Sequence, residues 1–457
     1  MKTRLIGVKF TTLSASLPRL NGMVYRFIPA FIFSLCVILS VPAGSTEPEP
    51  GLQAQAQTAE LSWADCVKAA MATNPEIRGA QFRLDSSTAR RNAAFGGFLP
   101  RISASVDTGD SGIGNNPDLN EIEADSWNAR LTASQSLFSG FSSLSDVRRN
   151  MASVRRQKAA LQAESADTRN RLRRAFADLL YAQANISLLE NIAKRRADNA
   201  DLVRLRYEGG RENKGSSLRV DADARSAAFE VSRARRALSL SRRKLARETG
   251  LGDFSPLSVK GSWDVAPPPD NPNIESLAPA VPAVMQSIAS TEEARAGLWS
   301  AMSPFWPSLD ASASLSRNGP EWVPADRTWG AGLSLSYNLF NGARDTNGVL
   351  AARAEDQAAR ESLDAVSRST RVSLEEAVNA YLDAYENVSV RKQYLDAAVV
   401  RAEIGRAQYA NGMLSFTQWD LIETELVDSE RGYLAARREA LYAEAAWNRS
   451  LGLELNK

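Results

Sequence analysis

From Phe141 to Glu208 the chain contains neither glycine nor proline, and Ala, Leu, Arg and Gln are frequent. Such residues lose little side-chain freedom in a helix, so the run predicts one uninterrupted helix. At about 1.5 Å per residue it reaches roughly 100 Å, several times the width of a small domain. Just before it, Trp127, Ala129, Leu131, Ala133 and Leu137 alternate with Asn128, Arg130, Thr132, Ser134 and Ser136. That period of two predicts a strand with one apolar and one polar face. The joint is Leu137-Phe138-Ser139-Gly140. A short amphipathic strand feeding so long a helix is unusual in a soluble globule.

The arrangement occurs twice. Val281-Pro282 answers Asn74-Pro75, and Trp306-Pro307 answers Leu99-Pro100. Leu339-Phe340-Asn341-Gly342 answers the first joint, Tyr409-x-x-Gly412 answers Tyr207-x-x-Gly210, and Gly452 answers Gly250. Strands recur too: Leu309, Ala311, Ala313 and Leu315 alternate with polar residues, as do Trp329, Ala331, Leu333, Leu335, Tyr337 and Leu339. The first copy spans 61–252, with a hairpin at about 101–138 and a long helix at 141–208. A linker at 253–275 carries Pro267-Pro268-Pro269, and the second copy spans 276–457 with a hairpin at about 308–340. Ser62 is an expected N-cap, Pro75 opens the next helix at a first-turn position, and Leu99-Pro100 stops it.

The amino terminus reads as an export signal. Phe27 to Val41 is apolar, follows Lys2, Arg4, Lys9, Arg19 and Arg26, and precedes Val41-Pro42-Ala43, a cleavage pattern. Residues 1–43 are the expected signal peptide and 44–60 a polar, flexible leader. Met1 and Met23 both stand as starts. A retained membrane anchor is disfavoured by Pro29 and by the shortness of the run. Cleavage removes Cys36 and leaves Cys66 alone, so no internal disulfide is expected.

Two hairpins in one chain cannot close a barrel, and an open strand edge is not tolerated in a bilayer. The strands therefore need copies from other chains. Trp127, Leu131, Trp329, Leu333, Leu335 and Tyr337 form the expected lipid-facing row; Ser, Asn, Gly and Thr on the other face suit a water-filled lumen. Along the long helix, Leu172, Ala175, Leu179, Ala182, Ile186, Leu189, Ala193, Ala200 and Val203 follow coiled-coil spacing, with Arg196 the one break. The helices from Asn74 and from Ser216, stacked end to end, match the reach of the single long helix.

In order and duplicate spacing, the Asn74-Pro75-Glu76 and Leu99-Pro100 stops, both Leu-Phe-x-Gly joints, both Tyr-x-x-Gly helix ends and the terminal Leu-Gly pairs resemble the TolC family of outer-membrane channel-tunnel proteins. The resemblance covers about 61–453. It implies a mainly α fold with a small β part: long antiparallel coiled-coil helices in two tandem repeats. Each repeat's β-hairpin joins a trimeric, 12-stranded transmembrane β-barrel continuous with a periplasmic α-barrel. It implies an outer-membrane exit duct of a tripartite efflux pump or type I secretion system, with a periplasmic adaptor and an inner-membrane pump as partners and outer-membrane lipid around the barrel. An adaptor would dock at the helical tip, at Gly209, Gly210, Arg211, Lys214, Ser216 and Ser415.

The mouth of the tunnel is expected around Tyr409, Gly412, Leu414, Gln418, Asp420, Leu421 and Glu423. Better-known members read Tyr-x-x-Gly-x-Arg there, with two aspartates further on. Here Leu414 stands at the arginine position and Gln418 and Leu421 at the aspartate positions. Either Asp420 supplies a charged ring, or Gln418, Leu414 and Leu421 close the mouth with little charge. The second is favoured, since Trp419 and Ile422 must pack on the outer side of that helix. Arg211 or Lys214 is the expected salt-link partner of Asp420.

Rival classes fit less well. The chain has no histidine, no CxxC and no phosphate loop between strand and helix, so catalysis, metal and cofactor are not expected. First-copy helices are basic, with 14 Lys+Arg against 7 Asp+Glu over Phe141–Tyr207, whereas Met413–Ser450 carries 4 against 7. Export speaks against nucleic acid, and complementary charge between packed copies accounts for the asymmetry. A soluble periplasmic coiled-coil adaptor or spacer would share the signal and helices, but would have no use for four strands with interfacial aromatics.

Overall fold

A computed structural model describes residues 60–111, 124–251, 257–322 and 324–456. The expected signal peptide, nearly all of the leader and part of the linker lie outside the described residues. The elements run β1 (Glu60–Leu61), α1 (Trp63–Thr73), α2 (Pro75–Phe95), β2 (Arg101–Ser111), β3 (Ala124–Ser139), α3 (Ser142–Glu208) and α4 (Lys214–Thr249). The second copy follows as β4 (Ser258–Val259), α5 (Ile274–Leu277), α6 (Pro282–Ala301), β5 (Ser308–Gly319), β6 (Asp326–Ser336), α7 (Arg344–Ala410) and α8 (Phe416–Ser450). The long helices α3 and α7 are both 67 residues, so the duplication is preserved in length.

Both strand-to-helix joints need two left-handed residues in succession. Gly140 (φ 61°) and Phe141 (φ 70°) make the first, Gly342 (φ 57°) and Ala343 (φ 61°) the second. Only glycine takes the leading position without steric penalty. At Gly140 there is no room either: a Cβ would stand 2.4 Å from the Ser303 carbonyl oxygen.

The helices form one layer, in the order α2/α4, α3, α6/α8, α7. The short helices do stack end to end. Thr73 Oγ1 donates to the Thr249 carbonyl (2.6 Å) and Asn74 Nδ2 to the Glu248 carbonyl (3.0 Å), so the last residue of α1 and the N-cap of α2 satisfy carbonyls left open at the end of α4. In the second copy Gly452 abuts Pro282 so closely that a Cβ would lie 2.2 Å from its Cδ. The main core sits at this belt: Leu172, Phe176 and Leu179 of α3 pack with Cys66, Leu245, Val259 and Leu455.

Ion pairs stitch the copies together. Arg195 of α3 reaches Glu430 of α8 at 2.6 Å, Arg173 reaches Glu444 at 2.9 Å, and Arg156 reaches Glu293 of α6 at 3.0 Å. The basic excess of the first copy is thus answered by carboxylates of the second.

The two hairpins join in one antiparallel sheet, β2-β3-β5-β6, with β3 against β5. Leu131 lies opposite Leu315, Ala133 opposite Ala313, and Leu333 opposite Ala311. The alternation does not run unbroken through Leu137. A register shift between Ser136 and Phe138 brings Phe138, not Leu137, opposite Leu309. A bulge of this kind inserts one residue and bends the strand, where β3 turns toward its helix. The strand β6 ends at Ser336, so Tyr337 and Leu339 lie in the connection to α7 rather than in the hairpin.

Candidate functional site

Two regions of the chain carry the candidate residues: the helical tip and the exposed face of the sheet. At the tip, α3 turns into α4 through Gly209 and Gly210, and α7 into α8 through Gly412, with Gly210 and Gly412 at φ 69° and 77°.

Tyr409 is the centre of the tip. Its ring is wholly buried and stacks on Trp419, with centroids 4.3 Å apart and planes 3° from parallel. The Arg206 guanidinium lies over the Tyr409 ring at 4.6 Å and donates to the Tyr409 carbonyl at 2.7 Å. The Tyr409 hydroxyl donates to the Glu212 carboxylate at 3.0 Å. Burial, and next the Glu212 acceptor, push the phenol well above its ordinary pKa, so it remains a donor at neutral pH. One side chain of the second copy is thereby held by a helix and a turn of the first.

A second cluster lies one turn further along α8. Glu423 is 1% exposed and accepts from Arg406 of α7 at 2.9 Å and from Asn199 of α3 at 3.3 Å, with Arg195 at 3.7 Å. It lies inside the helix layer, between three helices, rather than on an open face. Asp420 is paired with Arg196 at 3.4 Å, not with Arg211 or Lys214, and Arg196 also donates to Thr424 at 3.1 Å. The break in the α3 seam is therefore a residue that reaches across to α8.

The other residues of the expected mouth divide. Gln418 is exposed, and its carboxamide oxygen accepts from the Ser415 hydroxyl (2.9 Å) and amide (3.3 Å) in a capping box. Leu414 is half-buried against Tyr409 and its neighbours, whereas Leu421 is 65% exposed. Gly209, Gly210, Arg211, Lys214 and Ser415 are exposed, but Ser216 is buried, its amide donating to Asn213 Oδ1 at 2.9 Å. Sequence reasoning missed Arg206, Glu212, Arg195 and Arg406; charge alone does not mark them among so many helical arginines and glutamates.

On the sheet, Trp329, Leu333 and Leu335 are 80%, 71% and 71% exposed, and Leu131 and Tyr337 are exposed as well. Trp127 is half-buried, edge-on to Trp322 at 4.7 Å. The opposite face presents Ser312, Ser314, Ser334 and Thr132 in register. No helix among the described residues is long and apolar enough to cross a membrane. No group of three His, Cys, Asp or Glu among the described residues could hold a metal ion.

The profile of a family described as outer membrane efflux protein matches residues 66–251 and 274–453, one stretch for each copy. No curated protein sequence matches the chain. Among solved structures, the outer-membrane channel OprN is 20% identical, with a TM-score of 0.75 over 86% of this chain and 91% of that one. The CmeC outer membrane channel of Campylobacter jejuni is 13% identical, with 0.77 over 86% and 87%. The open state of the MtrE outer membrane channel of Neisseria gonorrhoeae is 16% identical, with 0.75 over 88% and 93%. Identities this low speak for a shared fold.

Proposed function

The chain belongs to the outer membrane efflux protein family, and on that premise we propose that three copies close into an exit duct through the outer membrane, with a helical tunnel below it. A periplasmic adaptor docks at the tip and joins the duct to an inner-membrane pump. The observation that carries this reading is the sheet: four strands with open edges at β2 and β6, one strongly exposed apolar face and one polar face. Alone, such a sheet exposes both unpaired backbone groups and apolar surface to water; closed with other copies in lipid, both are satisfied. The outer row then meets lipid and the serine-rich face lines a water-filled lumen.

The tip is the narrow end. With Asp420 matched by Arg196 and Glu423 buried, the side chains left exposed on the first two turns of α8 are the uncharged Thr417, Gln418 and Leu421, which supports a mouth of low charge. Ser415, Arg211 and Lys214 are exposed at the tip, where the adaptor would meet them.

Replacing Leu333 and Leu335 together by Asp tests the reading. Charge on a lipid-facing strand costs at most roughly 2–4 kcal/mol per site near the midplane, somewhat less for acids. The double variant is expected to fail to insert while its helices still form. A double variant that reaches the outer membrane normally rules out the assigned face. Extraction of the native protein by salt alone, without detergent, would favour the soluble adaptor instead.

A further inference from the structure

Where the sheet gives way to the helices, α3 and α6 lie side by side and a cleft of about 390 Å³ opens between them. Arg148, Met151 and Arg155 of α3 line one side of it, and Glu292, Arg295 and Trp299 of α6 the other. Spacings of three and four put each set on one face of its helix. Arg155 is paired with Glu292. Arg148 and Arg295 are exposed and, among the described residues, have no acidic partner. The cleft therefore carries two positive charges that nothing in the chain offsets.

The two faces of this helix pair differ as the two faces of the sheet do. On α6 the cleft side is Met285, Ile288, Glu292, Arg295 and Trp299, and the reverse side is Gln286, Ser290, Glu293, Gly297 and Ser300. On the cleft side Met285, Ile288 and Trp299 are exposed, as are Leu144 and Met151 of α3. The reverse side of α3 at this level presents Asp146 and Arg149. Further from the sheet, the line of Arg148 and Arg155 continues every seven residues through Gln162, Arg169 and Phe176, a nearly straight stripe. Gln162 and Arg169 donate to the Gly452 and Glu454 carbonyls at 3.3 and 2.8 Å, and Phe176 packs with Val259 of β4. The carboxyl-terminal segment and β4 thus lie on the cleft side of α3. In a duct that added chain belongs outside the wall, since inside it would fill the lumen.

The cleft is also at the right depth. Arg148 stands six residues into α3 and Arg295 six before the end of α6, each about 9 Å from the sheet end of its helix. The headgroup layer of a bilayer is about 5–8 Å thick on each side. Arg148 leans toward the start of its helix, hence toward the sheet, and a long arginine side chain covers the remaining distance. We propose that this cleft holds the headgroup of an anionic phospholipid from the periplasmic leaflet of the outer membrane. The inference rests on the duct reading, which sets this surface against lipid. Arg148 and Arg295 take the phosphate, a group that guanidinium matches with paired N–H donors. Trp299 sits where an amphipathic ring is favoured, against the glycerol and the first acyl carbons. A zwitterionic lipid gains less, because Glu292, the one carboxylate that could meet its cation, is already held by Arg155. Inorganic phosphate would have no use for the apolar wall of Met151 and Trp299.

The test uses the full chain, extracted in mild detergent and stripped of lipid, with bound lipid counted by native mass spectrometry. Phosphatidylglycerol should be retained over phosphatidylcholine by about tenfold. Arg148→Gln together with Arg295→Gln should reduce that preference to within about twofold, whereas Arg149→Gln, on the reverse face, should leave it intact. All three side chains are exposed, so the fold is retained. An unchanged preference in the double variant, in a protein that still inserts in the outer membrane, overturns the cleft and leaves the duct standing. Displacement of phosphatidylglycerol by inorganic phosphate at equal concentration assigns the charges to a free anion and overturns the lipid. Release of the unaltered protein from membranes by salt alone overturns the duct reading, and the lipid site with it.

Discussion

Glutamine in place of Glu423 keeps the shape of the side chain and removes its charge. The consequence follows from what surrounds it. Glu423 is 1% exposed and receives Arg406 at 2.9 Å and Asn199 at 3.3 Å. Breaking an isolated buried ion pair costs about 3–5 kcal/mol, because the abandoned charge has no solvent. That figure is too large here. Arg195 keeps two bonds to Glu430, at 3.0 and 2.6 Å, and the Arg406 side chain is 42% exposed and regains water. What is lost is close to one charge-assisted hydrogen bond, about 2 kcal/mol. The carboxylate is an acceptor common to α3, α7 and α8, so the loss weakens the joined arrangement of the tip relative to any parted one. About 2 kcal/mol is a shift of roughly 30-fold in that equilibrium. Single-channel recording of purified Glu423→Gln in planar bilayers should therefore show a raised open fraction, with the sheet and its membrane insertion unaffected. A variant with wild-type conductance, open fraction and melting temperature would refute the argument that Glu423 holds the tip.

Two further expectations concern backbone and thiol. Gly140→Ala places a Cβ 2.4 Å from the Ser303 carbonyl at φ 61°, whereas Gly342→Ala, at φ 57°, meets nothing within 4 Å. The second should cost only the left-handed penalty of about 1–2 kcal/mol, and the first about 1–3 kcal/mol more for overpacking. Equal losses of thermal stability would show that the Ser303 contact is not what matters. Burial, and then the neighbouring Asp65 charge, push the Cys66 thiol up to about 12. At pH 8 it should react with a disulfide reagent only on unfolding, and labelling of the native protein at the denatured rate would contradict its burial. The sign for stability follows: below the ordinary value of 9.0 the thiol is protonated folded and unfolded alike. Between 9.0 and about 12 the unfolded chain binds fewer protons, so this contribution is lost as pH rises.

The long helices were legible because the signal is negative and local: no residue between Phe141 and Glu208 can break one, and the structure starts the helix one residue later. The tandem repeat was legible for a similar reason, since turns need glycine at fixed places. Register within the strands was legible only up to Leu137, because a bulge adds a residue without changing composition. Side-chain direction at the tip was the hardest part. Helical geometry correctly puts Asp420 and Glu423 near one another on α8, but it does not say which helix lies against them. Their partners Arg196 and Asn199 stand 224 positions earlier. Arg196 was visible as an exception in the seam, and exceptions of that kind mark crossings between helices better than charge does.

The end-to-end joints of the short helices give the tip a mechanical advantage. From its joint with α2 at Thr249, α4 is an arm of 36 residues, about 54 Å long. Neighbouring helices lie about 10 Å apart, so a slip of about 1 Å across one helix spacing at the joint tilts the arm by some 6°. At the far end that tilt is a sweep of about 5 Å. The unbroken α3 beside it must bend to follow, and bending a continuous helix is resisted along its whole hydrogen-bond ladder. The short arm is thus the compliant member of each pair and the long helix the spring. Small sideways forces at the tip are returned elastically once they cease.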